Sequence, residues 1–106
     1  MTAADQRILE TFAESVRRRY PGARIWAFGS RARGDALPES DLDVCIVIDE
    51  PATRKVKDWI GDVAWDVGFG ADRIITTVVL ERREFEEGPR SASPLVSNIL
   101  REGVAA

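Results

Sequence analysis

The sequence predicts a small α/β protein of the α+β kind, a short mixed β-sheet with helices packed on one face. Three observations lead there. The predicted elements run α, β, β, α, β, α along 106 residues. The first two strands are joined by a loop rather than a crossover helix, so the sheet is not all parallel. The second strand, 41–48, alternates: Leu42, Val44, Ile46 and Ile48 fall on one side, which marks that side as core. A chain of 106 residues is read as one domain, 1–106, close to the commonest domain size.

A helix is expected over 4–20, because Ile8, Phe12, Val16 and Tyr20 recur every four residues beside Leu9 and Ala13. Pro21–Gly22 stops it. Arg17, Arg18 and Arg19 fill its last turn, where positive charge complements the helix dipole. "ARIWAF" (23–28) reads as a strand ending at Gly29. Residues 30–40 form a loop, with room for one helical turn after Gly29–Ser30, and Pro38 and Ser40 keep its end irregular. The strand 41–48 is followed by Pro51. A second helix over 53–67 gathers Val56, Trp59, Ile60, Val63, Ala64 and Val67 on one face. Trp26 and Trp59 read as core; Trp65 lies off the stripe, either an exposed contact or a core edge. "GFGAD" (68–72) reads as a turn and "RIITTVVL" (73–80) as a third, β-branched strand. A short helix at 82–87, a loop at 88–94 and a helix at 94–102 carrying Leu95, Val96, Ile99 and Leu100 complete the chain.

Composition excludes much. The net charge of −3 and pI near 5.0 argue against nucleic acid as the main partner, while a nucleotide balanced by a metal stays open. There is no histidine, which removes histidine-based triads and most zinc sites. Chemistry must run on carboxylates, arginines, hydroxyls and a hard metal. The single cysteine, Cys45, sits in an apolar run; it reads as a core residue in a reducing compartment. The N-terminus has neither signal nor transit character, and no apolar run approaches a membrane span, so the expected location is cytoplasmic with no membrane partner.

The chemistry concentrates in "FGSRARGDALPESDLDVCIV" (28–47). Asp41 and Asp43 share strand parity and project opposite to the apolar face. Two carboxylates that close repel unless cations sit between them. Magnesium suits them, because it takes oxygen ligands and needs only one or two protein carboxylates beside substrate phosphates. Gly29 lets a phosphate approach the backbone, Ser30 adds a hydroxyl donor, and a helical turn at 31–34 would aim N–H groups at it. Arg31 and Arg33 offer guanidinium forks for phosphate oxygens. No P-loop pattern is present. Each feature alone has an ordinary explanation, such as a turn glycine, an edge-strand charge or a solvated arginine; their joint order points to phosphoryl transfer.

That order resembles the signature of the DNA polymerase β-like nucleotidyltransferase superfamily: an apolar residue, Gly-Ser, a spacer of about ten residues, then Asp-x-Asp in an apolar strand. "GSRARG…SDLD" looks most like the minimal nucleotidyltransferases. The resemblance implies that Gly29 and Ser30 hold a nucleoside triphosphate, ATP or another, with Arg33 touching phosphate. It implies that Asp41 and Asp43 are catalytic and bind two magnesium ions, about 4 Å apart in two-metal sites. The implied reaction is transfer of a nucleotidyl group, adenylyl in the first instance, to a hydroxyl. Minimal nucleotidyltransferases are often paired, as antitoxins, with a small helical HEPN-domain protein, so the resemblance also implies such a partner.

One position departs from the pattern. Active relatives carry a third carboxylate on the next strand, and alignment puts Thr76 there, which cannot act as base or anionic ligand. Three readings stay open: a degraded site that only binds, Asp72 standing in, or a group supplied by acceptor or partner. Three functions stay open: a magnesium-dependent nucleotidyltransferase acting on a partner's hydroxyl, an antitoxin that neutralises its partner by binding, or a small RNA-modifying or nucleotide-sensing domain.

Overall fold

The computed structural model describes residues 1–87 and 94–106. Helix α1 (Ala3–Arg17) leads into strand β1 (Arg24–Phe28), a single-turn helix α2 (Gly29–Arg33) and strand β2 (Leu42–Ile48). Helix α3 (Arg54–Ala71), strand β3 (Ile75–Glu81), the short helices α4 (Arg82–Glu86) and α5 (Pro94–Glu102), and a two-residue strand β4 (Val104–Ala105) follow. The sheet order is β3-β2-β1-β4. β1 runs antiparallel to β2 and β4, and β2 runs parallel to β3 through the α3 crossover. The sheet is therefore mixed, as the loop-joined strand pair requires.

The alternation of β2 sorts the core. Leu42, Val44, Ile46 and Ile48 face α1 and α3, packing with Ile25 and Ala27 of β1, Leu9, Phe12 and Val16 of α1, and Ile60 and Ala64 of α3. The other parity of β2 was expected to face away from the helices. Instead Cys45 and Val47 are buried with Leu80 of β3, Phe85 of α4, and Val96 and Ile99 of α5. The two long helices keep to one face, and α4 and α5 cover the far part of the other. Burial of both faces explains why β2 ends as a continuous apolar run, CIVI. Trp26 belongs to this second cluster, stacked on Phe85 with ring centroids 5.2 Å apart. Trp59 is only half-buried, edge-on to Tyr20 at 5.7 Å.

Two helix ends and one added strand depart most from the sequence reading. α1 stops at Arg17, and its arginines are held by specific partners. Arg17 donates to the carbonyls of Ala23 (3.0 Å) and Ala106 (2.9 Å), tying the turn after α1 to the last residue. Arg19 lies over the Trp59 ring at 5.0 Å. α3 runs on through "GFGA", and Gly68 serves close packing rather than a turn: a Cβ there would collide with the Arg73 carbonyl oxygen. The helix closes one turn later, where Asp72 takes a left-handed conformation (φ 55°) and the Arg73 N–H returns to the Gly68 carbonyl at 2.8 Å. β4 was not expected. It is too short to carry a periodic signal, and is placed by pairing of Trp26 with Ala105 and of Ala27 with Val104. The loop expected at 88–94 lies, but for Pro94, outside the described residues. No helix among the described residues is long and apolar enough to cross a membrane.

Candidate active site

Three strand ends meet at one end of the sheet. In the β1–β2 register Phe28 pairs with Asp43, and in the β2–β3 register Asp43 pairs with Thr76. Gly29, immediately after β1, therefore lies beside Asp43. It has φ +77°, and a Cβ on it would come within 2.6 Å of Asp43 Oδ2. Glycine is required there on both counts. The Thr76 hydroxyl donates to the other carboxylate oxygen, Oδ1. Asp43 is thus half-buried and fixed from two sides, by a missing side chain and by a hydroxyl. The sequence alignment had set Thr76 at the position of a third carboxylate; the parallel register puts it directly across from Asp43.

Asp41 sits just before β2 and is exposed. Its place is set by the Leu42 N–H bonding the Ile74 carbonyl at 2.9 Å, and by the loop behind it. That loop is organised by Arg31, which is buried rather than offered to a ligand. Its Nε donates to the Ser40 carbonyl at 2.7 Å, its Nη2 to the Pro38 carbonyl at 2.9 Å and the Leu37 carbonyl at 3.3 Å. Its Nη1 meets Asp5 Oδ2 at 3.0 Å. Arg31 is thus corrected from a phosphate ligand to the clamp of the loop that delivers Asp41: each of its three guanidinium nitrogens donates to an internal acceptor.

Asp5 was missed by sequence reasoning. It is a buried acid on α1, and Arg73, at the start of the third-strand segment, approaches its Oδ1 at 3.4 Å. Burial pushes its carboxyl up, but hydrogen bonds and charge from Arg31, aided by Thr2 and Arg73, outweigh that and hold it below the ordinary value. The only local signal was Thr2 capping α1 by accepting from the Asp5 N–H at 3.1 Å, which reads as an ordinary first-turn acid.

Arg33 is exposed on α2 and pairs with Asp35 (3.2 Å) and Glu102 (3.7 Å). Ser30, half-buried, opens α2 after Gly29. Asp72 does not join Asp41 and Asp43. Among the described residues no three carboxylate, thiolate or imidazole groups converge to hold a metal. The donor set is two carboxylates and a hydroxyl, all oxygen. It fits a hard divalent ion that keeps water and shares substrate phosphates, and is too sparse for a resident ion caged by protein alone.

Residues 9–104 match the family model of the nucleotidyltransferase domain. The chain belongs to that family. It is 38% identical over 53 residues to "Probable protein adenylyltransferase MntA" of Haemophilus influenzae, a match covering 44% of this chain and 46% of that protein. The chain spans about half the length of the curated relatives it matches. Among solved structures, the nucleotidyltransferase fold is shared with a toxin–antitoxin crystallised with AMP-PNP. The TM-score is 0.61 at 20% identity, covering 91% of this chain and 70% of that one. It is shared also with a mutant of the toxin–antitoxin MntA-HpeT, at a TM-score of 0.58 and 18% identity over 88% of this chain and 68% of that one.

Proposed function

We propose that the chain is a magnesium-dependent nucleotidyltransferase that moves an adenylyl group from ATP to a hydroxyl of a partner protein, as the antitoxin of a pair whose other member is a small helical HEPN-like protein. The observation that carries the reading is the contact between Gly29 and Asp43. A backbone without a side chain packs directly against the Asp43 carboxylate, which brings the glycine turn that would bind phosphate next to the anion that would bind metal. The names of the MntA-like relatives and of the toxin–antitoxin neighbours support the choice of adenylyl group and of a protein partner.

In this reading the Gly29 backbone and the Ser30 hydroxyl bind the triphosphate, helped by the first N–H groups of α2, which have no intrahelical acceptor. Arg33 exchanges its surface pairs with Asp35 and Glu102 for a phosphate oxygen; exposed pairs are worth only about 0–1 kcal/mol, so the exchange is cheap. Asp41 and Asp43 would hold the divalent ions, which when bound neutralise charge on the attacking and leaving oxygens. The acceptor oxygen forms a bond to the α-phosphorus while the bond from that phosphorus to the bridging oxygen breaks. Pyrophosphate leaves, and the hydroxyl proton passes to solvent. A cytoplasmic location belongs to the same reading, because ATP, the nucleotide donor it names, is at home there.

A second reading has its own support. Thr76 stands across from Asp43 where a third carboxylate is expected, which favours an antitoxin that binds nucleotide and partner without efficient transfer. One experiment separates the two. The protein is incubated with α-labelled ATP, magnesium and the product of the neighbouring reading frame. Labelled partner, lost by about a hundredfold or more in Asp43→Asn, supports transfer. Inhibition of the partner that persists unchanged in Asp41→Asn/Asp43→Asn protein, with no label, establishes the binding module instead.

A further inference from the structure

The C-terminal half of α3 carries large apolar side chains in the open. Trp65 is 70% exposed and Phe69 78%, with ring centroids 6.4 Å apart, and Ile74 beyond the helix is 65% exposed. Two aromatics and an isoleucine in one patch are more than the scattered surface apolar residues of a monomer. They line a groove of about 600 Å³. Small residues line it on the α3 side: Gly61, where an added Cβ would meet open space, with Ala64 and Gly68 further along the helix. Its opposite wall is the loop 38–41 that Arg31 clamps, so Asp41 lines the groove while Gly29, Ser30 and Asp43 do not.

The charge around the groove is mostly negative. Glu39, Asp41 and Asp72 line it, and exposed Asp62 stands one turn before Trp65 on α3. Among the described residues Arg73 is the one basic residue lining it, and its guanidinium faces Asp5.

We propose that this groove seats a basic, amphipathic helix of the acceptor protein, with its apolar side on Trp65 and Phe69 and its lysines or arginines against the acidic rim. The proposal rests on the transferase reading and adds where the acceptor docks and what it looks like. A trough between an exposed aromatic stripe and a fixed wall matches the helix-in-groove mode of recognition, and exposed tryptophan is the residue type that most often anchors such contacts. Acid on the rim favours a cationic partner. It disfavours a second copy of this chain, which would set one acidic rim against another, and the phosphates of a nucleotide. An occupant of the groove reaches the site at Asp41 and leaves the Gly29–Ser30 side open for ATP.

The test uses the full chain. A library of random peptides is selected against it, and selected peptides are titrated while the indole N–H signals of the protein are followed by NMR. The expected result is enrichment of net-basic peptides with apolar residues at helical spacing, shifting the Trp65 signal. Affinity should fall about tenfold or more in Trp65→Ala/Phe69→Ala and comparably in Glu39→Lys/Asp62→Lys. These residues are surface-exposed, so the variants should melt with the wild type. No enrichment, enrichment of acidic peptides, or affinity indifferent to Trp65 overturns the proposal. So does a concentration-dependent dimer abolished by Trp65→Ala/Phe69→Ala. AMP-PNP with magnesium is titrated in parallel. A Trp65 shift as large as that of Gly29 would assign the groove to the nucleotide and overturn the docking proposal alone. Nucleotide binding that is absent, or indifferent to Asp43→Asn, counts instead against the transferase reading.

Discussion

Replacing Asp5 with alanine should cost about 3 kcal/mol or more, the lower part of the 3–5 kcal/mol typical when one partner of a buried ion pair is removed. The side chains involved are 2% and 6% exposed, so Arg31 would be left as a buried cation without its anion. The lower figure follows because Arg31 keeps three carbonyl acceptors, at Ser40, Pro38 and Leu37. A typical domain is stable by only about 5–15 kcal/mol, and for one of this size about 3 kcal/mol lowers the melting temperature by about 12–24 °C. Urea unfolding at pH 7, followed by tryptophan fluorescence, measures the loss. The pH dependence is a second readout. The folded Asp5 carboxyl lies below its unfolded value of about 3.9. Its contribution is therefore complete above that value and disappears as pH falls through the lower folded one. The gap between wild type and Asp5→Ala should narrow in that acid window. A loss below about 1 kcal/mol, or a gap that widens as acid is added, would refute the idea that this pair holds the loop in front of Asp41.

Two further outcomes test the site itself. Gly29→Ala places a Cβ 2.6 Å from Asp43 Oδ2 at a left-handed φ. It should destabilise by about 1–3 kcal/mol and weaken calorimetric binding of magnesium AMP-PNP about tenfold or more; a variant that melts and binds like wild type would remove the proposed phosphate cradle. Thr76→Asp sets a carboxylate across from Asp43, so the metal-free protein should melt lower through like-charge repulsion. Magnesium should then raise its melting temperature more than that of wild type, with transfer increased. An equal magnesium effect in the two proteins would show that Thr76 does not stand at a metal position.

The features that sequence reasoning reached share a short range. Strand parity separates Leu42, Val44 and Ile46 from Asp43 within a few residues, and Gly29–Ser30 ends a strand in plain view. The Thr76 position came from matching the apolar ends of two strands, and the parallel register of β2 and β3 agrees with it. Trp65 could be read either way, because a residue just off a helical stripe is covered or bare depending on what packs beside it; here it is bare.

Amino-acid order alone determined the order of the main helices and strands, the mixed sheet and the Gly29–Ser30 turn ahead of an Asp-x-Asp strand, because each rests on local periodicity or on residue types a few positions apart. Tertiary structure decided the rest. Asp5 becomes structural only when Arg31 and Arg73, 26 and 68 residues away in sequence, close around it. Arg31 turns from ligand to clamp for the same reason. Gly68, inside the helix, has to be glycine because the returning chain at Arg73 leaves no space for a side chain. The second face of β2 is buried because α4 and α5 fold back over it. Each of these depends on which distant groups arrive nearby, and a buried charge or a missing Cβ acquires its role only from that neighbour.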